Sequence, residues 1–529
     1  MRDIQKPGRS VVMSTRGMVA TSQPVATQVG LEILSKGGNA MDAVVAAAAT
    51  LCVTEPQSTG IGGDCFLLYH EARSGKLYGL NGSGRAAAKA TTAEFDRRGY
   101  SEIPERGILS VSVPGAIDAW QTAIERFGSM PFGEVLEPAI HFADEGYAVS
   151  PIVAKVWRQN EELLTTCADT RATLLIDGRA PAAGTRHRQP NLAASLGQIA
   201  RYGRDAFYKG DIAERIIRFV QANDGLLELT DFESHTSEWV DPIYTYYRGL
   251  QVYELPPNGQ GITVLMILNI LENSQLSEVE HLSAEHIHTL TEAYRLAVVE
   301  RDQFVADPAF SDIPINVLLS KEFARKQWQR IDPSRALQFP ITSGLPNHRD
   351  TVFLSVVDEQ RNAVSFINSL YHPWGSGLVA GDTGIMLQNR GAGFNLIDGH
   401  ANCVAPRKRP LHTIIPAMVY RDDRPMLSFG VMGGEYQAMG QCYVLTNWLD
   451  FGMDLQQAVD APRFLPAGNV LGVEHPIPGA TREALGRKGY QVVESETPMG
   501  GSQCIYIDWD NRVLQAASDP RKDGCAMGY

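Results

Sequence analysis

Apolar residues recur at helical spacing from early in the chain. Val25, Val29, Ile33 and Leu34 follow Ser22-Gln23-Pro24, and Gly37-Gly38-Asn39 closes the run, which predicts a helix ending in a glycine cap. Asn39 then caps a second helix, Ala40 to Leu51, so rich in Ala and Val that it must be buried on nearly every side. A glycine turn, Gly60-Ile61-Gly62-Gly63-Asp64, leads into a strand at Cys65 to Tyr69. Residues 115–330 read mainly as helices joined by Gly/Pro turns, and an amphipathic segment over 283–304 presents Ile287, Leu290, Tyr294 and Val298 on one side. The pattern changes near residue 338. A polar stretch without apolar period, 339–350, gives way to a β-branched and aromatic strand at 351–358 and a second at 363–367. Strands dominate from there, at 414–420, 426–431, 503–508 and 513–516, with a helix at 437–451. This order predicts sheets covered by helices.

Composition narrows the class. With 44% apolar and 20% charged residues, the chain holds enough material for a large core. Lys and Arg number 47 against 60 Asp and Glu, a net charge of −13, which argues against nucleic acid or an anionic membrane as the main partner. Seven Cys without a C-x-x-C pair argue against a disulfide framework or a structural zinc and favour a reducing compartment. The start of the chain carries charges but no apolar segment of a secretory signal, and no apolar run reaches the length of a membrane helix. A cytoplasmic protein is expected.

Several motifs carry chemistry only in the right setting. Gly82-Ser83-Gly84-Arg85-Ala86-Ala87 fits a dinucleotide fingerprint but lacks the acidic partner about 20 residues on, and reads better as a turn at a sheet edge. His288 and Glu292 share a helix face near His281 and His286, but no third ligand completes a metal set, so they read as packing and surface residues. Gly433-Gly434 stands between a strand and a helix, where bare backbone N–H groups suit an oxyanion. Thr351 is the most informative residue. Thr at the start of a strand is commonplace, but an internal Thr where a polar stretch meets a buried strand could also attack the carbonyl of Asp350 and leave Thr351 as a new chain start. The new α-amino group, with a pKa of about 7.7–8, then serves as base to the same residue's hydroxyl.

Longer stretches carry a resemblance. Residues 17–27 (GMVATSQPVAT), 37–66, 112–116 (SVPGA), 351–358 (TVFLSVVD), 375–385, 408–416 (KRPLHTIIP), 433–434, 460–464 (DAPRF) and 517–521 (ASDPR) together resemble the γ-glutamyltranspeptidase family of N-terminal nucleophile hydrolases. The resemblance implies an α+β fold, a four-layer αββα sandwich, and a precursor that cuts itself between Asp350 and Thr351. The fragments, 1–350 and 351–529, would stay together as one unit that pairs with a second as a homodimer. It implies Thr351 as nucleophile, Ser369 as the hydroxyl that assists it, and Gly433 and Gly434 as the oxyanion hole, with no metal and no cofactor.

The substrate pocket departs from the family. Where relatives hold an α-carboxylate with Arg, Ser83 stands here, and Gly393 replaces the acidic partner of the α-amino group. Tyr371 replaces an Asn, and His412-Thr413 replaces a pair of Ser. Arg85, Arg390 and His412 then supply positive charge without an acidic counterpart, which suits a small anionic amide. The pattern resembles the glutathione-hydrolase-like and oxamate amidohydrolase subgroup. Oxamate is the expected substrate. The alternatives are a γ-glutamyl compound such as glutathione, a glutaryl-type β-lactam side chain and, in another class, an inert binding relative or a nucleotide-dependent oxidoreductase.

Overall fold

A computed structural model describes residue 5, residues 8–338 and residues 351–529. Fourteen strands build two stacked sheets. They are β1 (Val12–Ser14), β2 (Met18–Thr21), β3 (Asp64–Glu71), β4 (Lys76–Gly82), β5 (Glu238–Val240), β6 (Ile243–Tyr247) and β7 (Leu250–Glu254). After residue 350 come β8 (Val352–Val357), β9 (Ala363–Ser369), β10 (Ala417–Arg421), β11 (Arg424–Met432), β12 (Gly501–Asp508), β13 (Val513–Ser518) and β14 (Cys525–Gly528). One sheet runs β14-β2-β8-β9-β3-β4-β5 and the other β1-β13-β12-β11-β10-β7-β6. Each interleaves strands from both sides of residue 350, so neither part of the chain closes a sheet alone.

Strand alternation sorts the side chains into layers. Val352, Leu354 and Val356 of β8 point into a core shared with α1 (Pro24–Ser35), α2 (Ala40–Thr54) and α3 (Ala116–Phe127). Phe353 and Val357 point the other way and meet Met418, Ile505 and Leu514 of the second sheet. That sheet's far face packs on α4 (Gly261–Leu271), α5 (Ala284–Phe304) and α6 (Tyr436–Leu449). The result is the four-layer αββα sandwich. α2 is buried along its whole length, and a reciprocal cap between Asn39 and Asp42 starts it.

Two expectations need correction. Residues 238–254, within the stretch read as mainly helical, form β5, β6 and β7. Their Tyr-rich alternation (Tyr244, Tyr246 outward; Thr245, Tyr247 inward) is a strand period. The glycine turn after β4 does not lie at a sheet edge, since β5 pairs with Gly79 to Asn81. The histidines of α5 are packing residues, as expected. His288 lies 2.8 Å from the Tyr490 hydroxyl, and Glu292 accepts from Arg295, Tyr490 and the Leu337 N–H.

Candidate active site

The antiparallel register of β8 on β9 pairs Val352 with Asn368, which brings Thr351 beside Ser369. Their hydroxyl oxygens lie 3.0 Å apart, both buried. Ser369 Oγ also accepts the N–H of Tyr371 at 2.8 Å. Asp350 lies outside the described residues. Thr351 has the parity of Phe353 and faces the second sheet. Ser355 bonds Ser428 of β11 at 2.7 Å, and the Phe353 ring lies where a Cβ on Gly430 would stand. Both pairings step along β11 toward Met432 as β8 is followed back toward Thr351.

The glycine pair there is built for close backbone approach. Gly433 (φ 120°) and Gly434 (φ 57°) both take left-handed conformations between β11 and α6. A Cβ on Gly433 would lie 2.8 Å from the Gly500 Cα. The Gly433 carbonyl accepts from the Tyr436 N–H at 3.1 Å, and the Gly434 carbonyl from the Gln437 N–H at 3.1 Å. Behind the turn, Arg463 donates to the Met499 carbonyl and pairs with Asp519, while its guanidinium lies 5.6 Å from the Tyr436 ring. Arg463 therefore braces both walls of the Gly433 turn.

The candidate substrate side adjoins Ser369. Tyr371 is held at φ 85°, a conformation that costs a bulky residue about 1–3 kcal/mol. Its ring stacks on His372 and lies 3.9 Å under the Arg390 guanidinium. Arg390, wholly buried, donates to the Thr413 hydroxyl at 2.8 Å. Thr351, Ser369, Tyr371, Arg390 and Thr413 thus form one connected group.

Arg85 and His412 differ from the expectation. Arg85 is committed to Glu238 at 2.8 Å, Asp307 at 3.6 Å and the Arg407 carbonyl, and is a structural ion pair. His412 is wholly buried and is not a positive group. Its Nε2 meets Asp64 at 3.0 Å and its Nδ1 faces the Ile414 N–H, the bonding pattern of a neutral ring protonated on Nε2. Burial and the neighbouring Arg390 charge push its pKa down to about 4. Asp64 is the acidic neighbour that the sequence did not reveal. Its carboxylate accepts from the Gly84 and Gly115 N–H groups, the Gln388 amide and His412, all at 3.0 Å. Burial works to raise its pKa, but the His412 bond, the Arg390 charge and the Gln388 amide hold it below the ordinary carboxylate value. Gln260, also unforeseen, lies in the Pro-Pro-Asn-Gly-Gln-Gly turn before α4 and touches both Thr413 and Gly434.

A model described as gamma-glutamyltranspeptidase matches residues 26–529. The chain belongs to the gamma-glutamyltranspeptidase family. It is 42% identical to a glutathione hydrolase-like proenzyme of Bacillus subtilis (strain 168) over 98% of this chain and 99% of that one. It is 33% identical to an oxamate amidohydrolase proenzyme of Klebsiella pneumoniae over 98% and 99%. The crystal structure of a cephalosporin acylase from Bacillus halodurans superposes with a TM-score of 0.93 at 39% identity, covering 99% of this chain and 98% of that one. The protein is accordingly an amidohydrolase with the N-terminal nucleophile fold, made as a proenzyme that cleaves itself. This overturns the nucleotide-dependent reading of Gly82 to Ala87. Gly84 begins no helix, and its N–H is taken by Asp64. Among the described residues, no helix is long and apolar enough to cross a membrane.

Proposed function

We propose that this family member cuts itself before Thr351 and then hydrolyses a small amide whose acyl part bears a carboxylate, oxamate foremost. The Thr351 hydroxyl attacks the carbonyl of residue 350, the acyl group moves to oxygen, and water hydrolyses the ester. Thr351 then carries an α-amino group that takes the hydroxyl proton when Oγ attacks the substrate amide. Ser369 orients Oγ, and the N–H groups of Gly433 and Gly434 receive the oxyanion. The proton passes to the leaving nitrogen, ammonia departs, and water attacks the Thr351 ester to release oxalate.

The observation that carries this reading is the continuity from the 3.0 Å Thr351–Ser369 pair through Tyr371 to the Arg390 guanidinium. A guanidinium fork suits a carboxylate, in charge-assisted bonds of about 1.5–3 kcal/mol each. Asp64, with four donors already on it, has little capacity left for a substrate ammonium. A γ-glutamyl compound is the second reading, favoured by Glu105. This half-exposed carboxylate lies 2.9 Å from His372, whose ring stacks on Tyr371. The seven cysteines, all free, favour the cytoplasm as the place of action.

Purified enzyme incubated with oxamate, glutaramate and glutathione separates these readings, with ammonia and glutamate measured. Oxamate is expected to release ammonia most efficiently. Glutamate from glutathione without ammonia from oxamate would overturn the proposal, and Glu105→Gln should then impair glutathione turnover.

A further inference from the structure

Gln260 is wholly buried, and its side-chain amide joins three partners. Its Nε2 donates to the Thr413 carbonyl at 2.8 Å and to the Gly434 carbonyl at 3.2 Å. Its Oε1 accepts from Arg301 at 2.9 Å, and the same Arg301 pairs with Glu435, next to Gly434. Two carbonyls on one side and a guanidinium on the other leave the amide a single sensible orientation. The backbone is tied as well, since the Gln260 N–H donates to the His412 carbonyl at 2.8 Å.

These bonds link the two ends of the site. Gly434 belongs to the turn assigned to the oxyanion. Thr413 offers its hydroxyl to Arg390, the group assigned to the carboxylate. One nitrogen atom therefore sets the separation between the place of the reacting carbonyl and the place of the substrate's negative charge. We propose that Gln260 is a positioning residue that fixes the acyl length the enzyme accepts. This rests on the oxyanion and carboxylate roles proposed above. Gln260 precedes residue 350 and its two acceptors follow it, so the large fragment holds the spacing between two points of the small one.

Gln260→Glu tests this. The carboxylate keeps the Arg301 partner but presents oxygen to both carbonyls, which repels them. Steady-state kinetics on oxamate, with the carboxylate attached directly to the amide carbon, and on glutaramate, with three methylenes between, read the length preference. A misplacement near 1 Å costs about 100-fold in efficiency. The preferred substrate is expected to lose about that factor while the other changes little, so the ratio of their kcat/KM values collapses. Tm within a few degrees of wild type accompanies that result. A parallel fall on both substrates, ratio unchanged, would overturn the proposal and leave Gln260 a structural residue. Should the Glu variant fail to fold, Gln260→Asn, with both donors on a shorter stem, decides by the same ratio. Failure of the oxamate reading shows in wild type alone, where glutathione would be the better substrate. The ratio test then uses whichever two acyl lengths wild type distinguishes.

Discussion

Two glycine turns that follow strands in this molecule begin from nearly the same sequence signal and reach opposite ends. After β4, the Gly82–Gly84 turn and the Gly115 start of α3 point N–H groups at one spot, and the Asp64 carboxylate fills it. After β11, the Gly433–Gly434 turn leads into α6 with both carbonyls tied down by Tyr436, Gln437 and Gln260. The first set of N–H groups binds an anion, and the second is proposed to do so. One holds a resident anion and so fixes the frame; the other is assigned to a charge that exists only while the reaction proceeds. A glycine turn therefore offers backbone N–H groups, and what already occupies them decides whether they serve the frame or are left for chemistry.

Removing the hydroxyl proposed as nucleophile is expected to give the largest effect. Thr351→Ala should leave a single uncut chain without turnover, seen on a denaturing gel and in the ammonia assay. Gly433→Ala strikes the open turn, because its Cβ would meet Gly500 at 2.8 Å and its φ of 120° is strained for alanine. Displacing one oxyanion donor costs about 100- to 1,000-fold in kcat, so a fall of that order is expected, together with a lower Tm from the strained turn. Arg390→Lys keeps the charge but loses the planar fork stacked on Tyr371. Losing one charge-assisted bond of about 1.5–3 kcal/mol should lower kcat/KM for oxamate about 10- to 100-fold, mainly through KM.

The filled turn responds in stability instead. His412 has its folded pKa pushed down to about 4, below the ordinary imidazole value of about 6.5. The unfolded chain therefore binds its proton first, and His412's contribution, present above about pH 6.5, is lost as pH falls toward 4. His70, His187 and His235, also buried and shifted down to about 4, share that slope. His412→Gln should flatten the fall of Tm between pH 6.5 and 4 by its share only, a smaller effect than the others. An unchanged slope would mean that His412 is not neutral beside Asp64.

Local features made much of this legible. Pro24, Gly37 and the Asn39 cap bound α1 and α2 as expected, because caps and breakers act within a few residues. The strand at Thr351 was visible from its β-branched run, and the glycine pair from its place between a strand and a helix. Asp64 was not. It sits in what reads as a glycine turn, and its partners Gly84, Gly115, Gln388 and His412 come from four separate parts of the chain. The same distance in sequence hid the neutrality of His412 and the pairing of Arg85 with Glu238. Gln260 gave no signal, since nothing in its turn tells of Thr413 or Gly434 more than 150 residues on. Strands β5 to β7 carry a strand period, but it is short and set among helices.

The most direct test of the chemistry is the intact mass of active enzyme. Two fragments of 350 and 179 residues, the smaller beginning at Thr351, are expected in the fraction that turns over substrate. Full activity in material where residues 350 and 351 remain joined would contradict the proposed chemistry, because the Thr351 hydroxyl would then have no amine beside it.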